Sequence, residues 1–92
     1  MIPMPSRFVI LVHSGHGPTH YDLMVEHGPA LATWQLETDP AAAENADLPA
    51  RRLADHRPAY LDYEGPIRGG RGHVRQADSG RCRLLAAESE LK

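Results

Sequence analysis

The chain has 92 residues, a net charge of −2 at neutral pH and 41% hydrophobic residues. This length predicts one domain, 1–92, and the hydrophobic share is enough for a packed core and too high for a disordered chain. No apolar run approaches the roughly 20 residues that a membrane span needs, and 8–12 is too short for the apolar part of a signal peptide. The single cysteine, Cys82, excludes an intrachain disulfide and a zinc site built from cysteines, so we expect a cytoplasmic protein without membrane contact.

Basic residues are concentrated in the second half of the chain. Residues 1–50 hold six acidic residues and one basic residue, whereas residues 51–92 hold six acidic and nine basic residues, eight of them arginine. Arginine binds phosphate through a planar two-pronged fork, so the second half could face a phosphate backbone. The alternative is that these arginines reflect GC-rich coding and are merely solvated.

Three strands are predicted in the first third of the chain. A β-type apolar run covers Arg7–His13, and the composition of 14–18 indicates a turn after it. Apolar and polar residues alternate through His20–Glu26, and Gly28-Pro29 ends that strand before Ala30–Leu36, which we expect to pair with it as a hairpin. One face of the second strand carries His20, Asp22, Met24 and Glu26.

The middle of the chain predicts short elements within a longer loop. Asp39 followed by Pro40 and three alanines is typical of a helix N-terminus, with Asp39 as the cap and Pro40 at the first position. Such a helix would last only a turn or two before Pro49, and 37–50 is otherwise predicted to be a loop. A short strand is then expected over Arg51–Asp55.

The last third of the chain predicts two more strands. Asp78-Ser79-Gly80 is interpreted as a turn between strands at 73–77 and 81–85, and 86–92 as a short tail of helix-forming residues. Short strands separated by Gly/Pro turns, without alternating strands and helices, predict a mainly β fold. We expect a small closed or partly open β-barrel with one or two short helical turns.

The histidines and their spacing suggest a metal site. His20 and Asp22 leave the same face of one strand about 7 Å apart, and a neighbouring strand can supply a third ligand. His13, which ends the first strand, is available for that purpose. Two imidazoles and one carboxylate suit manganese, iron or zinc, and a bound ion would polarise a phosphoryl oxygen. The alternative is a surface hydrogen bond between His20 and Asp22, with His13 a half-exposed polar residue.

Several short motifs follow one another along the chain. The first half contains Phe8-Val9-Ile10 leading to His13, then His20-Tyr21-Asp22-Leu23 through Glu26, and then Trp34. The second half contains Asp55-His56-x-Pro58-x-Tyr60, Asp62-Tyr63-Glu64-Gly65-x-Ile67 and Asp78-x-Gly80. In this order and spacing they resemble the 3′-phosphoesterase domain of bacterial ATP-dependent DNA ligase D, over roughly residues 7–85.

This resemblance implies a small β-barrel that removes a 3′-phosphate or a 3′-terminal ribonucleoside from DNA or RNA ends and leaves a 3′-hydroxyl. It implies Mn²⁺, or another divalent transition metal, bound by His13, His20 and Asp22. It also implies that His56, as a cation or proton donor, and Tyr60, through its hydroxyl, contact the scissile phosphate. Ligase and polymerase repair proteins are then the expected protein partners.

The chain also departs from the pattern that it resembles. Met24 stands where the family has an arginine that holds the phosphate, and Ser14 stands where an aspartate follows the first histidine. The loop between the two metal-binding histidines is one residue longer and contains His16, which is interpreted as a solvated residue or a further ligand. Because Met24 shares a face with the ligands, we expect it to face the substrate. Arg71, in a glycine-rich turn, is the candidate to replace the missing arginine.

Three functional hypotheses remain. The first is a free-standing, metal-dependent 3′-phosphoesterase of nucleic-acid ends. The second is a non-catalytic relative that binds metal or DNA ends and recruits a repair partner, which Met24 and the early end of the chain favour. The third is a small β domain without a metal.

Overall fold

The fold is mainly β in a computed structural model that describes residues 6–42 and 48–82. Within these residues it has six strands and two short 3-10 turns. The strands are β1 (Ser6–Ser14), β2 (His20–His27), β3 (Ala30–Leu36), β4 (Arg51–His56), β5 (Gly65–Pro66) and β6 (His73–Cys82). The 3-10 turns are Pro40–Ala42 and Pro58–Leu61.

The strands form one antiparallel sheet in the order β4-β3-β2-β1-β6-β5. Among the described residues the two outer strands, β4 and β5, do not pair with each other, so the sheet is not closed. A partly open barrel-like fold fits this arrangement and confirms the predicted fold class. The hairpin of β2 and β3 and the strand that begins at Arg51 are also confirmed.

The Pro40–Ala42 turn confirms the predicted helix start. The Oδ1 atom of Asp39 accepts a hydrogen bond of 2.9 Å from the backbone N–H of Ala41. A carboxylate that accepts this bond satisfies an otherwise free donor at the first turn, as an N-cap does. Positions 43–47, where the predicted turn or two would continue, lie outside the described residues.

The turn predicted at Asp78-Ser79-Gly80 is wrong. These residues lie inside β6, which pairs with β1 along its whole length, and Gly80 is opposite Phe8. The pairing shifts register between Ile10 and Leu11, which adds one residue to β6 at that point. A complete partner strand satisfies the backbone groups of 78–80, so their turn-forming composition does not prevail. Positions 83–92, including the end of the predicted last strand and the tail, lie outside the described residues.

Each face of the sheet carries its own apolar cluster. The first cluster lies on the face of Asp22 and consists of Val9, Leu11, Met24, Leu31, Leu61 and Val74. The second lies on the opposite face around Val25, Ala32 and Trp34. Leu61 belongs to the second 3-10 turn, so that turn covers the first cluster from above the sheet. No helix among the described residues has the length and apolar character that crossing a membrane requires.

Candidate functional site

The three predicted metal ligands lie together where β1 and β2 pair near their loop. His13 is directly opposite His20 in the sheet, and their ring centroids are 4.7 Å apart. The Nδ1 atom of His13 is 4.0 Å from Oδ2 of Asp22, and the Nε2 atom of His20 is 3.5 Å from Oδ1. One ligand atom from each residue lies within 4.8 Å of the other two, so these three residues, the ligand group, could hold one ion.

Backbone carbonyls orient both imidazoles of this group. The Nε2 atom of His13 lies 2.6 Å from the carbonyl oxygen of Arg71, and the Nδ1 atom of His20 lies 3.3 Å from that of Pro18. A carbonyl oxygen only accepts hydrogen bonds, so these ring nitrogens carry the protons. In the neutral rings the other nitrogens, Nδ1 of His13 and Nε2 of His20, therefore have free lone pairs. These two nitrogens are the ones that face Asp22, as metal-binding histidines require.

Asp22 has a buried carboxylate, and one of its two oxygens accepts no hydrogen bond from the described residues. Its side chain is largely shielded from solvent, and within the described part of the chain Oδ1 has no hydrogen-bond partner. Burial raises the pKa of Asp22, while the charges of His20, His13 and His56 act in the opposite direction. A buried, unpaired carboxylate oxygen is costly. A cation between the three side chains would compensate that cost, so these residues fit a divalent metal.

His56 and Tyr60 lie beside the ligand group rather than in it. His56 ends β4, and its Nδ1 atom lies 2.9 Å from the carbonyl oxygen of Ala54, so Nδ1 is the donor there. Its ring packs edge to face against Tyr60 at 5.6 Å between centroids. Tyr60 lies on the second 3-10 turn, against the first apolar cluster. His56 is directly opposite Leu31, a member of the first apolar cluster, so it lies on the same face of the sheet as Asp22. Its charge opposes the rise that burial causes in the pKa of Asp22.

Arg71 contacts the site through its backbone. Its carbonyl oxygen accepts the hydrogen bond from His13, whereas its Nε donates to the carbonyl oxygen of Arg68 at 2.7 Å. Among the described residues, the rest of the guanidinium forms no hydrogen bond or ion pair. The adjacent Gly72 has a φ of 79°, and a Cβ there would collide with the carbonyl oxygen of Ser14. The glycine-rich loop, residues 69–72, therefore lies tightly against the end of β1 and borders the ligand group.

The expectation that Met24 faces the substrate is wrong. Met24 does share the face of His20 and Asp22, but its side chain is only 2% exposed. It packs in the first apolar cluster with Leu31 and Leu61. The second 3-10 turn covers this stretch of the face, which the alternation of β2 alone could not indicate.

Two other polar residues near the predicted ligands, His16 and Glu26, are not part of the ligand group. His16 is exposed in the loop after β1 and is not one of the clustered ligands among the described residues. Glu26 accepts a hydrogen bond of 2.7 Å from the backbone N–H of Arg7, which is a structural contact between β1 and β2.

The sequence reasoning overlooked the carbonyl groups of Pro18 and Arg71 and the position of Gln35. Gln35 is directly opposite Asp22 in the hairpin. That pairing could have been derived, because the two-residue Gly28-Pro29 turn determines the hairpin register. No signal in the sequence indicates that the carbonyl of Arg71 reaches His13.

Comparison with known proteins gives a family match. A search of curated proteins found no match to the chain. The family model described as DNA Ligase D 3′-phosphoesterase domain matches residues 12–92, which include every site residue discussed above. The chain therefore belongs to the DNA ligase D 3′-phosphoesterase domain family, and this membership implies a 3′-phosphoesterase-type function in DNA repair.

Proposed function

We propose that this chain is a metal-dependent hydrolase that removes a 3′-phosphate or a 3′-terminal ribonucleoside from nucleic-acid ends, with Mn²⁺ as its metal. The observation that carries the proposal is the grouping of His13, His20 and Asp22, with two histidine lone pairs facing a buried carboxylate. Family membership supplies the class of reaction and of substrate. Ligase and polymerase repair proteins and a cytoplasmic location remain predictions.

The proposed metal ligands are Nδ1 of His13, Nε2 of His20 and the carboxylate of Asp22. When bound, the ion would supply Lewis acidity towards a phosphoryl oxygen and towards a water nucleophile. The chain contributes the shape of the site. Two carbonyl groups hold the imidazoles in position, and burial of Asp22 excludes water from one side. A second layer of fixed hydrogen bonds of this kind commonly changes metal affinity by 10–100-fold.

His56, Tyr60 and Arg71 are the proposed phosphate-contacting residues. The Nδ1 proton of His56 is used by the carbonyl of Ala54, so its Nε2 can donate to a phosphoryl oxygen when the ring is cationic. Tyr60 would donate its hydroxyl proton, and the edge-to-face contact with His56 keeps both rings in place. Arg71 has terminal nitrogens without a partner among the described residues, on a loop that borders His13.

A second candidate function is a non-catalytic module that binds metal or nucleic-acid ends. The observation in its favour is Met24, an apolar side chain in the first apolar cluster at the position where the family carries a phosphate-binding arginine. Such a domain would keep the three ligands and bind 3′ ends without turning them over.

The test is hydrolysis of a primer–template with a 3′-phosphate, with and without added Mn²⁺. Asp22→Asn is the matched control, because it keeps the side-chain shape and removes the ligand charge. We expect release of phosphate by the wild type that depends on the metal and is abolished in Asp22→Asn. Tight binding of the end without release would favour the non-catalytic module. Equal activity of Asp22→Asn and the wild type would overturn the proposed site.

A further inference from the structure

We infer that Arg51 binds a backbone phosphate of the substrate strand, on the 5′ side of the reacting 3′ end. The inference rests on the proposed function for the identity of the substrate. It adds a second phosphate contact outside the ligand group, on the edge strand β4.

The sheet register places Arg51 on the face of the metal ligands. Asp22 on β2 is directly opposite Gln35 on β3, and Gln35 is directly opposite Arg51 on β4. Residues that are directly opposite each other in an antiparallel sheet extend to the same face. Arg51 thus lies two strands from Asp22, about 10 Å away between Cα atoms at the usual strand spacing.

Gln35 holds the Arg51 side chain beside the site. An Nη2 proton of Arg51 is donated to Oε1 of Gln35 at 3.0 Å. This bond uses one of the five N–H donors of the guanidinium, and the side chain is exposed, so the others can reach a ligand. Part of the entropy cost of ordering a long side chain on binding is then already met in the free protein.

Arg51 has no carboxylate partner within the described residues. Two other arginines of the sheet do: Arg7 on β1 pairs with Asp62 at 2.9 Å, and Arg52 on β4 pairs with Asp55 at 2.8 Å. Arg52 also lies over the ring of Trp34, on the opposite face of the sheet. Those two arginines are each paired with a carboxylate, whereas the charge of Arg51 is available for an anion.

The contact falls on a neighbouring phosphate rather than on the reacting one. Arg51 lies two strands away from Asp22, and its Nη2 atom donates to Gln35, which stands between them. Its guanidinium is therefore outside the group of His13, His20 and Asp22. The interior position next to Asp22 on the same face is apolar, because Met24 fills it. A strand whose 3′ end lies at the ligand group and whose next phosphate passes over β3 and β4 would meet Arg51.

The experiment measures binding and turnover separately. A labelled duplex with a 3′-phosphate is titrated with the metal-free protein at several salt concentrations, using wild type, Arg51→Gln and Arg75→Gln. Arg75 is the matched control, since it is also exposed and lies on β6 opposite Val12, on the other face of the sheet. Turnover with Mn²⁺ is then compared on a nucleoside 3′-monophosphate and on the full duplex.

We expect Arg51→Gln to weaken duplex binding about tenfold and to reduce the slope of log affinity against log salt by about 0.9, the value for one phosphate contact on duplex DNA. Arg75→Gln should change neither quantity. On the nucleoside monophosphate, which has no second phosphate, Arg51→Gln should turn over like the wild type.

Unchanged duplex binding and salt slope in Arg51→Gln would overturn the inference. An equal loss of turnover on both substrates would also overturn it, since Arg51 would then contact the reacting phosphate. If the wild type turns over neither substrate, the proposed hydrolase function fails, and the binding measurement still decides the role of Arg51.

Discussion

The Nε2 atom of His13 lies 2.6 Å from the carbonyl oxygen of Arg71, across 58 positions of the chain. This bond connects the end of β1 to the glycine-rich loop before β6. Because it uses the backbone of Arg71, the identity of the side chain is irrelevant to it. What the bond does require is the close approach of the two backbones that Gly72 permits.

Arg71→Ala is therefore expected to leave Mn²⁺ affinity within about twofold of the wild type, whereas Gly72→Ala should weaken it at least tenfold. A Cβ at position 72 would collide with the carbonyl oxygen of Ser14, and the positive φ adds strain of about 1–3 kcal/mol. Calorimetric titration of both variants with Mn²⁺ measures the difference. If both variants bind like the wild type, the loop does not position His13. A slower turnover of Arg71→Ala at unchanged metal affinity would support its proposed phosphate contact.

Asp22→Asn is expected to abolish Mn²⁺ binding and, in the metal-free protein at pH 7, to increase the free energy of unfolding by about 1 kcal/mol. The asparagine keeps the volume of the side chain but removes a buried charge with an unpaired oxygen. Denaturant unfolding in the presence of a chelator measures the stability. A destabilised variant would mean that Asp22 stabilises the fold through its charge.

The same carboxylate predicts a pH dependence. Burial raises the pKa of Asp22 above its ordinary value of 3.8, so the folded chain holds this proton more tightly than the unfolded chain does. The contribution of Asp22 to stability then falls as pH rises from about 3.8 through the folded pKa, and stays low above it. The stability gained by Asp22→Asn should be smallest at pH 3.5 and should increase to a plateau towards neutral pH. An opposite trend would mean that the histidine charges outweigh burial.

His56→Ala and Tyr60→Phe should separate metal binding from phosphate contact. We expect His56→Ala to lower kcat by 10²–10⁴-fold, the usual range for loss of a general acid or base, with Mn²⁺ affinity nearly unchanged. Tyr60→Phe keeps the packing against the first apolar cluster and removes only the hydroxyl, so it should lower kcat without loss of stability. A parallel loss of metal and activity in His56→Ala would make His56 a metal ligand.

Met24→Arg is expected to destabilise the protein by at least 2 kcal/mol rather than to restore the family's arginine. Its guanidinium would have to enter a cluster that includes Leu31 and Leu61, where the native side chain is 2% exposed. Met24→Leu, which conserves volume, should cost less than about 1.5 kcal/mol. Thermal unfolding of both variants gives the comparison. A stable Met24→Arg with faster turnover would mean that the 3-10 turn moves aside and that position 24 does reach the substrate.

Local patterns in the sequence were sufficient for much of the fold and for the pairing of two proposed metal ligands. The alternation of β2, the Gly28-Pro29 turn and the Asp39 cap act within a few residues of the chain, and all three agree with the structure. The pairing of His20 with Asp22 on one face follows from the same short-range periodicity. His13, the third proposed ligand, was assigned from the family resemblance, and the structure places it directly opposite His20 on the adjacent strand.

Long-range contacts decided the rest. Asp78-Ser79-Gly80 has the composition of a turn, but β1 supplies a partner strand from about 70 positions away. Met24 has the periodicity of an active-face residue, but Leu61 covers it, and this burial comes from a different element. The orientation of His13 depends on a carbonyl of the glycine-rich loop. Periodicity determines which face a side chain takes, whereas its burial and hydrogen-bond partners depend on which distant segments pack against that face.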